Sequence, residues 1–248
     1  VETFSGRYLH SHDFTNPHDF AGQRVMVVGN GPSGVDIASA LIPVAQHPVL
    51  LAIRSDMVIA RQYPYGLPTA GWVILANLLP KRWRKAFLNR VNYQTYNDLA
   101  DLDLPLAPNR DDRVGTSAPA RGRDLIDGVR AGTIKATAGL ERLDGRCAVL
   151  MDGSEYEVDA VIMCTGYRPV LNYLDIDYET DKEGWLVRSD PRGTEIAGYP
   201  GLFLVGRYYR GLGPLHNIRH EAQVTVDAIA ARMRGEKKGK LRLPASIE

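Results

Sequence analysis

Six consecutive residues, Gly29-Asn30-Gly31-Pro32-Ser33-Gly34, have the spacing of a loop that holds the phosphates of a dinucleotide. In such a loop the first glycine permits a tight turn, the second lets the backbone approach the pyrophosphate, and the third lets the following helix pack closely. The N-terminus of that helix supplies free N–H groups and a partial positive charge to the phosphates. The sequence therefore predicts that these six residues bind a dinucleotide.

The sequence on either side supplies the elements that such a loop requires. The apolar run Arg24–Val28 precedes it and predicts a buried parallel strand. Apolar residues recur at helical spacing from Ser33 to Ile42, and we expect Pro43 to end that helix. Val49–Ile53 predicts the next strand. A strand–loop–helix–strand unit of this kind is typical of the front of a Rossmann fold.

The residues after the second strand decide which nucleotide fits. An NAD site has a carboxylate there, which accepts a hydrogen bond from the ribose 2′-hydroxyl. This chain has Arg54 and Ser55 instead, and a guanidinium with a hydroxyl suits the 2′-phosphate of NADPH. Arg61 is a candidate for a second phosphate contact, whereas Asp56 weakens the preference. The alternative interpretation is that Arg54 is only an exposed arginine at a strand end.

Taken together, the patterns predict an α/β fold, a Rossmann-like parallel sheet with a β-hairpin or meander layer and a helical insertion. We expect a lead-in linker over 1–23, an NADPH-binding domain over 24–170 with the insertion at about 71–112, a C-terminal segment over 171–236 and a charged tail over 237–248. Within these ranges the sequence predicts helices at Leu125–Arg130 and Asn217–Met233, strands at Ile134–Thr137, Ala160–Cys164 and Gly201–Gly206, and a hairpin of Arg146–Met151 with Tyr156–Val158 that turns at Asp152-Gly153.

Charge and cysteine content narrow the classes of function. The chain has 30 basic and 29 acidic residues, without the clustered basic excess that is typical of nucleic-acid-binding proteins. Cys147 and Cys164 have neither CxxC nor metal-ligand spacing, so we expect two reduced thiols in a cytoplasmic protein and no metal site.

One apolar stretch, Trp72–Leu79, ends at Pro80 and is too short to cross a bilayer. A basic cluster follows it, made of Lys81, Arg82, Arg84 and Lys85. We interpret this cluster as a solvated helix face. The alternatives are contact with a partner domain or with a membrane surface.

A second pattern, Phe4-x-Gly6-x-x-x-His10-x-x-x-Phe14, lies just before the first predicted strand. It resembles the identifying motif of flavin-containing monooxygenases, FxGxxxHxxx(Y/F), at every specified position, whereas the related Baeyer–Villiger enzymes usually end it in Trp. Cys164-Thr165-Gly166-Tyr167 resembles the ATGY segment of the same family, with cysteine in place of alanine. The resemblance covers about Phe4 to Ala230. It implies that Thr165 and Gly166 bind cofactor together with the glycine loop, Arg54 and Ser55.

The resemblance also implies a chemistry. In this family NADPH reduces FAD, and the reduced flavin reacts with O₂ to form a hydroperoxide that oxygenates a soft N or S nucleophile, or a ketone. Family members have one dinucleotide loop for FAD and a second for NADPH. This chain has one loop, placed after the monooxygenase motif, which by resemblance is the NADPH loop. We therefore expect the FAD-binding segment upstream of Val1 or on a second chain, and the present chain alone to be inactive.

Two other functions stay open at this stage. A stand-alone NADP-binding or interaction module would have the same loop without flavin chemistry, and a flavin absorption band would exclude it. A disulfide reductase of similar architecture needs a redox-active cysteine pair, which Cys147 and Cys164 do not provide. We interpret His10 as a polar side chain that forms a hydrogen bond with the backbone. We assign no catalytic role to His12, His216 or any other residue. The expected substrate is a small molecule.

Overall fold

Two compact units, Val1–Gly166 and Tyr167–Glu248, make up the chain in the computed structural model. The structure describes residues 4–57, 59, 63–80, 82–84, 86–88, 90–91, 102, 104–105, 123–182, 184–207, 214–236 and 239–243. Within these residues the strands are β1 (Arg7–His10), β2 (Arg24–Val28), β3 (Gln46–Ile53), β4 (Ile134–Ala138), β5 (Leu140–Asp144), β6 (Cys147–Leu150), β7 (Glu155–Glu157) and β8 (Ala160–Met163). The α-helices whose two ends are both described are α1 (Pro32–Leu41), α2 (Thr69–Asn77), α3 (Arg123–Arg130) and α4 (Pro214–Met233).

A five-stranded parallel sheet forms the centre of the first unit, with the strand order β1-β8-β2-β3-β4. Strands β2 and β8 lie inside the sheet, where continuous apolar runs are expected because both faces are covered. Val28 of β2 is in register with Ala52 of β3 and with Met163 of β8. The carboxyl ends of these three strands therefore lie side by side at one edge of the sheet.

Each face of the sheet has its own apolar core, because successive side chains of a strand point to opposite faces. On one face Val25 and Val27 pack with side chains of α1 and α3. On the other, Met26 packs with Ala148 and Leu150 of the antiparallel sheet β5-β6-β7. The first unit thus has three layers, helices, parallel sheet and antiparallel meander, which confirms the predicted fold class.

Most of the predicted elements are present, with ends that differ by a few residues. Helix α1 ends at Leu41, two residues before Pro43, and the hairpin β6–β7 turns at Asp152-Gly153 as predicted. In that turn Gly153 has a φ of 82°, and the Asp152 carboxylate accepts hydrogen bonds from Ser154. Strands β1 and β5 were not predicted, because their short runs mix apolar and charged residues.

The prediction of a strand at Gly201–Gly206 is wrong. Within this segment the structure has one isolated bridge, between Phe203 and Glu195. The N–H groups of Leu202 and Leu204 donate to Tyr199 and Thr194, so they bond to nearby loops and not to a neighbouring strand. An apolar run flanked by glycines therefore forms loop here, because no ladder in the described part of the second unit pairs with it.

The second unit combines loops with one long helix. Its small core contains Leu171, Leu186 and Ile196. Helix α4 is fixed to the loops by the buried carboxylate of Glu221, which accepts hydrogen bonds from Arg188 at 2.6 Å and from the Gly206 N–H. The tail predicted at 237–248 lies largely outside the described residues.

Of the helical insertion predicted at about 71–112, the structure describes α2 and a few further positions. The described residues between 82 and 91 are helical. Most of the remainder lies outside the described residues. In the part of the chain that the structure describes, no helix is long and apolar enough to cross a membrane.

Candidate functional site

The candidate site lies where β2 ends and α1 begins, and its first residue, Gly29, has a conformation that requires glycine. Gly29 has a φ of 118°, and a β-carbon there would lie 2.3 Å from the carbonyl oxygen of Cys164. The Gly29 N–H donates to the Ala52 carbonyl at 3.0 Å, which joins the loop to β3. The tight turn that the sequence predicts is therefore fixed by contacts with both neighbouring strands.

The other two glycines of the loop differ sharply in their surroundings. A β-carbon on Gly34 would lie 1.9 Å from the Gly29 carbonyl oxygen, so helix α1 could not pack against the loop. A β-carbon on Gly31 would meet nothing within 4 Å. The fold therefore requires glycine at position 34 and leaves an open space at position 31, where the motif predicts the pyrophosphate.

The N-terminus of α1 has the features of an anion site. Its N-cap is Gly31, which makes no side-chain capping bond, and its first turn contains no acidic residue. Pro32 stands at the start of the helix, where its missing N–H removes no helical hydrogen bond. The N–H groups of the first turn therefore lack an intrahelical acceptor, and the helix dipole adds positive charge beside Gly31.

Arg54 and Ser55 follow the carboxyl end of β3, beside the glycine loop. Both residues are exposed, and the Asn30 side-chain amide donates to the Ser55 carbonyl at 2.7 Å. Among the described residues, none forms a hydrogen bond or an ion pair with the Arg54 guanidinium, and the nearby Asp56 does not either. The structure thus brings together the loop and the residues predicted to select the nucleotide, while Arg61 lies outside the described residues.

Thr165 and Gly166 reach the same edge of the sheet from β8. The Cys164 N–H donates to the Val28 carbonyl at 2.7 Å, so the segment starts against the end of β2. Thr165 and Gly166 follow as exposed residues, with a φ of 94° at Gly166. All ten predicted cofactor-binding residues therefore lie at the ends of three neighbouring strands or in the first turn of α1.

The two thiols are not activated. Burial raises the pKa of the Cys164 thiol to about 11, against a smaller lowering by a hydrogen bond with Ser11. Desolvation and the nearby Glu155 carboxylate also raise the pKa of Cys147. Both thiols are therefore protonated at neutral pH, and neither is the thiolate that a disulfide reductase requires. The described residues contain no cluster of three metal-ligating side chains.

The Phe4–Phe14 motif has a structural role in the first unit. His10 Nδ1 accepts a hydrogen bond from the His12 N–H at 3.2 Å, which confirms that His10 bonds to backbone. A β-carbon on Gly6 would lie 2.5 Å from the Phe4 ring and 2.6 Å from the Asp159 carbonyl. Phe14 stacks on Phe20 with ring centroids 5.7 Å apart. The motif thus helps β1 to pack against β8 at the edge of the sheet.

Two structural positions were missed in the sequence: Asp159, at the amino ends of β2 and β8 and so at the opposite edge of the sheet from the site, and Gly139, beside Arg54. Asp159 accepts from the Arg24 N–H at 2.8 Å and from its guanidinium, and Arg146 also contacts it. The hydrogen bonds from Arg24 hold the pKa of Asp159 well below its usual value. A β-carbon on Gly139, after β4, would lie 3.2 Å from the Arg54 Cα. For Gly139, the one available signal in the sequence was a glycine at the end of a predicted strand. For Asp159 the neighbouring residues gave no signal, because its partners Arg24 and Arg146 are distant in sequence.

Known proteins resemble this chain in sequence and in fold. The family model described as flavin-binding monooxygenase-like matches residues 1–183. Monooxygenase aurF of Gibberella zeae is 33% identical over 180 residues, which cover 67% of this chain and 33% of that protein. The chain spans about a third of the length of the first curated relatives that it matches.

Solved structures share the fold. A flavin-containing monooxygenase from Stenotrophomonas maltophilia has a TM-score of 0.59 at 22% identity and covers 93% of this chain, which in turn covers 57% of that protein. A cyclohexanone monooxygenase from Rhodococcus sp. Phi1, solved bound to NADP+, has the same TM-score at 14% identity, with coverage of 94% and 57%. At these identities the likeness concerns the fold alone.

Proposed function

Because this chain belongs to the flavin-binding monooxygenase-like family, we propose that it forms the NADPH-binding part of a flavin-dependent monooxygenase. Members of this family are flavoproteins and oxidoreductases. The single observation that carries the proposal is the open N-terminus of α1, where Gly31 leaves space and no side chain caps the first turn. A phosphate is the group whose charge and acceptor oxygens match such a site.

The nucleotide would lie across the carboxyl ends of the strands. Its pyrophosphate would accept hydrogen bonds from the first turn of α1, at Ser33 and Gly34, while Gly31 gives it room. Arg54 and Ser55 would hold the 2′-phosphate of the adenosine ribose, since a cation and a hydroxyl both favour that group. Thr165 and Gly166 complete the site on the side of β8. Strand order changes direction between β2 and β8, which is where open α/β sheets bind ligands.

NADPH, when bound, supplies the hydride that reduces a flavin, and the reduced flavin supplies the chemistry that activates O₂. The residues of this chain bind and orient the nucleotide for that transfer, and none is placed at the reacting atoms. We propose that FAD is held by a second glycine loop outside these 248 residues, preceding them in the same protein or on a second chain. The proposed substrate is a small molecule with a soft N or S nucleophile, or a ketone, and the proposed location is the cytoplasm.

Isothermal titration of NADPH and NADH into the wild type and Arg54→Ala tests the nucleotide assignment. A lost charge-assisted contact costs about 1.5–3 kcal/mol, so the wild type should prefer NADPH by about tenfold or more. Arg54→Ala should lose the preference while keeping its affinity for NADH. Arg123→Ala is the matched control, because that arginine is 90% exposed on α3. Equal affinities for the two nucleotides in the wild type would overturn the assignment.

A flavin experiment tests the assignment of the single loop. The 248-residue protein is mixed with FAD, passed through gel filtration, and measured for its visible spectrum and for NADPH consumption. We expect no retained flavin and no flavin-dependent turnover, because the described residues offer one uncapped helix N-terminus behind a glycine loop. A stoichiometric flavin band with turnover would show that this chain has its own FAD site, and the proposal would fail.

A further inference from the structure

The segment from Tyr63 to Trp83 exposes large apolar side chains to solvent. On helix α2, Ile74 is 61% exposed, and just after its end Leu78 is 79% exposed. Trp83 is 57% exposed, whereas the small Ala76 is buried at 1%. A helix on the surface of a water-soluble protein normally buries its large apolar residues and exposes its small or polar ones. Helix α2 has the opposite arrangement.

The exposed residues form one continuous face. Ile74, Leu75 and Leu78 recur at the spacing that places side chains on the same side of a helix. On another side of the helix, the Trp72 indole N–H donates to the Pro64 carbonyl at 2.8 Å. Trp72 also makes an edge contact with Tyr65, with ring centroids 5.8 Å apart. These contacts join the start of α2 to the turn that precedes it.

The sequence around this face is rich in positive charge. Residues 57–97 contain six arginine or lysine residues and no aspartate or glutamate, although the whole chain is nearly balanced at +1. Beyond the end of α2, the Arg84 Nε donates to the Leu79 carbonyl at 2.9 Å. The Arg82 guanidinium lies 5.9 Å from the centre of the Trp83 ring. Aromatic and basic side chains thus stand together at the end of the apolar face.

We infer that this surface, Ile74, Leu75, Leu78, Arg82 and Trp83, binds the interface of an anionic lipid bilayer. Apolar side chains with arginine and tryptophan at their edge match a bilayer surface, where acyl chains lie beneath negatively charged headgroups. A second protein would need to bring complementary acidic groups, and a soluble helix face would expose fewer large apolar residues. The interpretation of the basic cluster as a solvated face alone does not account for Leu78 or Trp83. This inference is independent of nucleotide binding.

Flotation of the 248-residue protein with vesicles tests the inference. We expect binding to phosphatidylcholine vesicles that contain about 30 mol% phosphatidylserine, and weaker binding to phosphatidylcholine alone. Raising the salt concentration from about 0.1 M to about 0.5 M should weaken binding to the anionic vesicles, because it screens the arginines. The tryptophan emission should shift to the blue on binding, and Trp83→Phe should remove most of that shift.

Matched variants distinguish binding by this surface from nonspecific binding of exposed apolar side chains. Ile74→Gln with Leu78→Gln should lower vesicle partitioning about tenfold or more, and Arg82→Glu should lower it about tenfold on anionic vesicles only. Leu215→Gln with Met233→Gln is the control, because these side chains are 82% and 85% exposed on α4. Thermal melts establish that each variant is folded.

Three outcomes would overturn the inference. The first is that the protein does not bind anionic vesicles, and the second is that the α4 control variant loses binding equally. The third is that sedimentation shows a dimer, which the double variant Ile74→Gln, Leu78→Gln dissociates. The last result would mean that the surface is an interface between copies of this chain.

Discussion

Replacement of Gly31 by alanine should separate nucleotide binding from folding. The added methyl group meets no atom within 4 Å in the free protein, and residue 31 has a φ of −72° and a ψ of 176°, which alanine adopts without strain. Alanine is a poorer N-cap than glycine, but it also lowers the entropy of the unfolded chain. These effects oppose each other, so the free energy of unfolding should change by about 0.5 kcal/mol or less.

Nucleotide affinity should respond very differently. The methyl group would occupy the space beside the N-terminus of α1, where the pyrophosphate must approach to accept hydrogen bonds from the first turn. Loss of one or two charge-assisted hydrogen bonds costs about 1.5–3 kcal/mol, which corresponds to a Kd for NADPH that is about 10- to 150-fold weaker. The loss should be similar for NADH, because both nucleotides share the pyrophosphate.

The assay combines isothermal titration of NADPH with chemical denaturation of the same samples. Gly71→Ala is the control, since a β-carbon there also meets nothing within 4 Å and Gly71 lies in α2, far along the chain from the loop. An unchanged Kd in Gly31→Ala would place the phosphates elsewhere and refute the reasoning. A large loss of stability would show that the open space at Gly31 is filled in the folded protein.

Three further predictions concern the scaffold of the first unit. Gly34→Ala should lower the free energy of unfolding by about 3 kcal/mol or more in denaturation experiments, because its β-carbon would lie 1.9 Å from the Gly29 carbonyl oxygen; stability equal to that of Gly31→Ala would contradict this. Asp159→Asn should lower the free energy of unfolding by about 1 kcal/mol at neutral pH. The pKa of Asp159 in the folded protein lies below the unfolded value of about 3.9. The stability that the wild-type carboxylate adds should therefore be complete above about pH 3.9, and acid melts should show that it disappears as the pH falls further. Cys164 should resist alkylation at about pH 8 in the native protein, because burial raises its pKa to about 11; mass spectrometry that finds rapid labelling at Cys164 would contradict its burial.

The sequence predicts the centre of the fold well, because there local pattern and tertiary structure favour the same elements. The apolar runs of β2 and β8, the glycines between β2 and α1, and the Asp152-Gly153 turn each have a local cause that can be read from a few residues. Helix α4 is predicted from its recurring apolar residues alone, because Val226 and Ile229 of that pattern are exposed in the structure.

The errors occur where neighbours distant in sequence decide the structure. Gly201–Gly206 has the composition of a buried strand, yet its N–H groups bond to loops. Strand β1 has no apolar pattern of its own and exists because Arg7–His10 pairs with β8, more than a hundred residues away. The Arg24–Asp159 pair likewise joins residues that no local pattern connects. In the candidate site, the glycine motif and the strand order predict where the ten residues lie, whereas the contact of Gly139 with the Arg54 backbone joins residues that no local pattern connects.

The three glycines of the loop would have different fates in a descendant that no longer used the nucleotide. Atoms of the protein itself exclude larger side chains at Gly29 and Gly34, so natural selection for folding would retain both. No described atom lies within 4 Å of a β-carbon at Gly31, so selection for folding alone would not retain that glycine. A copy of this gene that keeps the outer glycines and has lost the middle one would therefore be recognisable as a former nucleotide-binding protein. In this chain position 31 is still glycine, as the proposed nucleotide site requires.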